Sequence, residues 1–154
     1  MNKDNQDKLF AKYPKIFRQK DMSMQETAMC WGIACGDGWF DLIDDLCANI
    51  QNRVDNVNRQ RKYKMENSPK TLVPVKSEEF ICEAVQVKEK FGSLCFYTYG
   101  GDDYIDGLIS MAESTSERTC TECGEKSKPQ QERGWIYTLC ENCRNKKLES
   151  VDEN

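Results

Sequence analysis

The sequence predicts an α+β fold: a long helix and a second helix packed on an antiparallel hairpin, followed by a small C-terminal ribbon. Three observations lead there. One apolar stripe runs through Trp39, Leu42, Ile43, Leu46, Cys47, Ile50, Val54 and Val57 at three- and four-residue spacing. Two strand-like runs, Ala84 to Val87 and Leu94 to Tyr99, flank Phe91-Gly92-Ser93. Cysteines 120, 123, 140 and 143 form two Cys-x2-Cys pairs.

The elements follow in order. Leu9, Phe10, Tyr13, Ile16 and Phe17 describe a short helix interrupted at Pro14. In the block CWGIACGDGWF, Gly36 and Gly38 allow a sharp entry into the long helix over 39–60, and Asp37 is placed to cap it. The periodicity stops at Arg61, and Ser68, Pro69 and Pro74 mark a polar loop to Glu79. The hairpin ends at Gly100-Gly101. Asp102 or Asp103 then caps a helix over 102–115 that carries Tyr104, Ile105, Leu108, Ile109 and Ala112 on one face. GWIYTL reads as a strand leading to Cys140, with Lys128, Pro129 and Gln130 in the loop before it. The organisation is a core over 1–117, a ribbon over 118–148 and a frayed tail over 149–154.

Composition removes several chemistries. The 154 residues include no histidine, which excludes Ser/His/Asp and Cys/His catalysis. No apolar run approaches the ~20 residues of a membrane helix, and the opening MNKDNQDKLF lacks the apolar stretch of a secretion signal. A cytoplasmic location is expected. The net charge of −4 is unevenly spread: residues 21–52 carry six acidic groups and no basic one, while 53–76 carry seven basic and two acidic.

The cysteine quartet carries the clearest chemistry. Two residues between thiols let a tight turn aim both sulfurs at one ion, and two such knuckles make the closed tetrahedron of a structural Zn²⁺ site. Cys120, Cys123, Cys140 and Cys143 are therefore the expected ligands, with Gly124 suited to the first turn. Two disulfides would require an oxidising compartment, which no export signal supports. Cys30, Cys35 and Cys47 would make a second metal site only without a partner knuckle; buried reduced thiols are the simpler reading for these and for Cys82 and Cys95.

Three functional classes compete. A nucleic-acid reading rests on Arg53, Arg59, Arg61, Lys62, Lys64 and Lys70, with Tyr63 interleaved, against a solvated helix C-terminus. A carboxylate-dependent metalloenzyme would use Asp37, Asp41, Asp44 and Asp45, or Asp102, Asp103 and Asp106, against simple capping and solubility. The favoured class is a non-catalytic interaction module in which Trp31, Trp39, Phe40 and Trp135 anchor a protein partner if exposed, Trp39 and Phe40 being the two more suited to a core.

The blocks YPKIFRQ, CGDGW, KFG and GGD, followed by the paired knuckles, resemble in order and over almost the whole length a family of small, uncharacterised bacteriophage and bacterial proteins. In many relatives the fourth ribbon ligand is His where this chain has Cys143, an exchange of one metal ligand for another. Cys95 stands where relatives commonly have Arg. The resemblance implies a phage or bacterial cytoplasmic setting.

Overall fold

A computed structural model describes residues 1–67, 78–132 and 134–152, with side chains through residue 147. The elements are α1 (Lys3–Lys12), β1 (Ile33–Ala34), α2 (Phe40–Asn67), β2 (Cys82–Lys90), β3 (Ser93–Gly100), α3 (Asp103–Ser116), β4 (Pro129–Glu132), β5 (Trp135–Thr138) and α4 (Glu141–Asp152), with short 3-10 turns at Arg18–Asp21, Met29–Trp31 and Asp37–Trp39. The expected α+β class is found. Among the described residues, no helix is long and apolar enough to cross a membrane.

The core forms where the apolar stripes meet. Helix α1 starts at an Asn2 cap and ends before Pro14, leaving Leu9, Tyr13, Ile16 and Phe17 buried. Helix α2 buries Ile43, Leu46, Cys47, Ile50 and Val54 against the sheet. Its order is β1-β2-β3, with β1 parallel to β2 and β2 antiparallel to β3. Ala84, Val87, Leu94 and Phe96 face this core together with Ile105 and Ala112 of α3. At the hairpin tip both Phe91 (φ 54°) and Gly92 (φ 77°) take left-handed conformations, the signature of the two-residue turn that matches strand twist.

The outer edge of β3 is closed by α3. Leu94 N–H donates to Ser116 Oγ at 2.8 Å, and Phe96 N–H donates to Glu113 Oε1 at 3.2 Å. Asp102 caps α3 as expected, accepting from Ile105 N–H. Its second oxygen takes Arg53 Nε and Nη2 at 3.0 and 2.7 Å, which pins α3 to α2. A buried carboxylate is not visible in the residue pattern, yet Glu83 of β2 is almost fully enclosed. Arg18 Nε (2.8 Å) and Gln19 Nε2 (3.0 Å) satisfy its two oxygens and bind the segment after Pro14 to the sheet.

Several expectations change. Helix α2 runs to Asn67, past the expected end at residue 60. RKYKMEN contains good helix formers, and only its apolar face is lost once the helix outruns the sheet. The proposed loop prolines 69 and 74, and Lys70, lie outside the described residues. Pro129 and Gln130 belong to β4 rather than a loop, since proline is tolerated at the first position of a strand. Helix α4 continues through Asp152, into the segment expected to fray.

Candidate metal centre

The two knuckles are built differently. In the first, Gly124 adopts φ +80° and its N–H donates to the Cys120 carbonyl at 2.9 Å, folding the chain so that Cys120 and Cys123 point the same way. Cys120 N–H in turn donates to the Glu125 carbonyl at 2.7 Å. In the second, Cys140 occupies the cap position of α4: its carbonyl accepts from Arg144 N–H at 2.9 Å, and its sulfur lies 3.5 Å from Cys143 N–H. The donated Cys143 N–H draws the Cys140 thiol down to about 7, so the cap favours thiolate.

These turns bring four sulfurs together. Cys120, Cys123, Cys140 and Cys143 Sγ all lie within 4.8 Å of one another, and Cys123 to Cys140 is 3.6 Å. All four are free thiols, and the 3.6 Å separation is far beyond the ~2.05 Å of a disulfide. A tetrahedron with metal–sulfur bonds of ~2.3 Å has edges of about 3.8 Å, so the donor set fits a four-coordinate ion. Cys120 is fully buried and Cys123 exposed. Among the described residues this is the only group of three or more His, Cys, Asp or Glu that could hold a metal ion.

The ribbon is seated on the core by the two glycine-bearing blocks of the sequence. Gly36 is not in a glycine-only conformation (φ −74°), so a turn does not explain it. A Cβ there would meet the Thr121 carbonyl oxygen at 2.1 Å. At Gly38 a Cβ would meet Cys120 O at 2.3 Å, Gly124 N at 2.4 Å and Cys123 N at 2.6 Å, all backbone of the first knuckle. Gly38 N–H donates to Thr121 O at 2.9 Å, and the fully buried Trp39 donates its indole N–H to Thr119 O at 2.8 Å. The expected role of these glycines in helix entry is replaced by close backbone approach. On the other side, Thr138 of β5 donates its buried hydroxyl to the Gly92 carbonyl at 2.5 Å, so the hairpin tip also rests on the ribbon.

Other predicted residues do not assemble a site. Asp37 does not cap α2; its carboxylate accepts from Asn2 N–H and Asn5 Nδ2 at 2.8 and 3.1 Å, tying α1 to the turn that rests on the first knuckle. The Asn2 N–H holds it below its usual value. Asp44 takes Lys12 and Tyr13, Asp41 and Asp45 are exposed, and Asp102 is committed to Arg53 and its cap. Cys30 donates to the Thr27 carbonyl, and Cys35 and Cys47 are buried in the core, where burial pushes the Cys35 thiol up to about 12. Of the aromatic anchors, Trp39 is core and Phe40 half-buried, while Trp31 and Trp135 are 71% and 69% exposed. Phe91, at 69%, is an exposed aromatic that the pattern reading assigned only to a turn.

The basic residues divide. Arg53, Arg61 and Lys64 line a cleft with Val57, Gln60, Phe80, Gly101 and Asp102, whereas Arg59 bonds to Asn56 and Lys62 is exposed elsewhere on α2. Comparison with protein-family models, curated proteins and solved structures gives no match, so the centre is read from its own geometry.

Proposed function

We propose that this chain is a non-catalytic Zn²⁺-binding interaction protein, in which one structural zinc held by Cys120, Cys123, Cys140 and Cys143 fixes a rigid docking surface. The observation that carries the reading is the closed set of four thiols, joined through Gly38 and Trp39 to the hydrophobic core. Four thiolates suit a borderline-soft ion and leave no open position for substrate, which favours a structural role. Four thiolates and Zn²⁺ bring the formal charge to about −6. Trp31 and Trp135 supply exposed anchors of the type that dominates protein interfaces. The resemblance implies a phage or bacterial cytoplasmic setting, in which the partner of this docking surface would be a host or phage protein.

Elemental analysis of purified protein is expected to give one zinc per chain, lost in Cys140→Ser. Affinity isolation from expressing cells is expected to recover one stoichiometric protein that Trp135→Ala or Trp31→Ala releases. Full zinc occupancy in Cys140→Ser removes the ligand assignment. Recovery of nucleic acid alone in the isolation removes the protein-docking role.

A further inference from the structure

We propose that the cleft between the second half of α2 and the Gly101-Asp102 corner is a nucleotide-phosphate site, independent of the metal centre. It measures about 490 Å³, within the ~300–1,000 Å³ of small-ligand sites. Its charge is organised by helix geometry. At 100° per residue, Arg53, Val57, Gln60, Arg61 and Lys64 share about 100° of arc, while Asp55, Arg59, Lys62 and Glu66 all fall on the opposite face. The acidic residues of this stretch are thus turned away from the cleft, and of the basic cluster seen in the sequence Arg59 and Lys62 are not part of it.

The walls are fixed and the cationic groups keep free valence. Asn58 exchanges two hydrogen bonds with the Phe80 backbone at 2.9 and 2.8 Å, clamping the chain before β2 to α2. Arg61 donates one N–H to the Glu78 carbonyl, and its guanidinium carbon sits 5.3 Å from the Phe80 ring centroid, with further N–H groups unspent among the described residues. Lys64 has no ion-pair or hydrogen-bond partner among the described residues. Asp102 is the one carboxylate lining the cleft among the described residues, and Arg53 and the α3 backbone occupy its oxygens. Arg61 and Lys64 therefore present uncompensated positive charge above an apolar floor of Val57 and Phe80.

That combination fits a phosphate joined to a planar base. The guanidinium fork and the ammonium take phosphate oxygens, and the Arg61 plane backed by Phe80 offers a stacking surface. An acidic peptide would use the cations but leave this surface unpaired. The ligand is a nucleotide, either free or as one unit of a single strand.

The test uses full-length, metal-loaded protein at low salt and labelled oligo(dT) and oligo(U) of about a dozen nucleotides. Lys64→Glu is expected to weaken binding about tenfold and to lower the salt slope by roughly one or more. Lys62→Glu, the same charge change on the opposite face, is expected to leave affinity within about twofold. AMP is expected to compete better than inorganic phosphate, and its potency relative to the oligonucleotide tells free nucleotide from strand. Equal weakening by both variants, equal competition by AMP and phosphate, tighter binding of oligoglutamate than of either strand, or no binding of any probe would each overturn the proposal. Circular dichroism of both variants checks that the comparison is made on folded protein.

Discussion

The core and the ribbon reach order by different physics. The core buries a continuous set of large apolar side chains, among them Leu9, Phe17, Trp39, Ile43, Ile50 and Ile105, and at ~25 cal/mol per Å² of apolar area this is the dominant favourable term. Among the described residues of the ribbon the buried ones are Cys120, Thr121, Thr138 and Leu139, and none belongs to that cluster. What the ribbon has instead is the cysteine quartet and backbone contact with the core. One region is held by area, the other by a few directed bonds, so single atoms should matter far more in the second.

The strongest way to break the contrast is to remove the metal. Chelation, or Cys120→Ser, is expected to unfold the ribbon, since binding in comparable small sites contributes about 10–16 kcal/mol. Limited proteolysis should then cut within 118–148 while the core persists; a ribbon that stays resistant without metal would place its stability in packing instead. Gly38→Ala is next. Its Cβ would collide with three backbone atoms of the first knuckle, and a cost of about 2–4 kcal/mol is expected, read as denaturant midpoint and as weakened metal retention. Gly107→Ala in α3 is the matched control, because nothing lies within 4 Å of its Cβ position; there a gain of up to about 1 kcal/mol is expected from helix propensity.

A smaller effect sharpens the comparison at the hairpin tip. Thr138→Val removes the hydroxyl that donates to the Gly92 carbonyl and leaves that buried acceptor unpaired, for an expected loss of about 1–3 kcal/mol and faster exchange of the hairpin amides. The smallest is Asp37→Asn, expected to cost less than about 1 kcal/mol at neutral pH. Because the native Asp37 carboxyl lies below its usual 3.8, its contribution is present above that value and lost as pH falls through the lowered one. The variant should flatten the acid limb of a stability–pH curve, and an unchanged limb would show that Asn2 and Asn5 do not select the ionised form.

Much of the core was legible because periodicity reports burial directly: the α2 stripe, the Asp102 cap and the hairpin joined around Phe91-Gly92-Ser93 each follow from local chemistry, whereas the left-handed φ of Phe91 does not. The metal ligands were legible for a similar reason, since two-residue spacing is a local geometric demand. Contacts between distant segments were not. Gly36 and Gly38 look like turn residues in one dimension, and only the approach of residues 120–124 shows why a Cβ is excluded. The basic run 53–64 could not be divided into a cleft-facing and an outward set until the helix was known to continue to Asn67. Glu83 lay inside an apparently ordinary strand, with its partners about sixty residues earlier in the chain.

The side chains of Ser116 and Glu113 have a consequence for assembly. By taking the outward amides of Leu94 and Phe96 they leave β3 with no row of vacant donors at these positions, and an incoming strand would have to displace both before it could zip onto the sheet. Lateral growth of this sheet, the usual route to runaway fibre formation, is therefore opposed on that flank by two polar groups of the neighbouring helix, one fully buried and one half-buried.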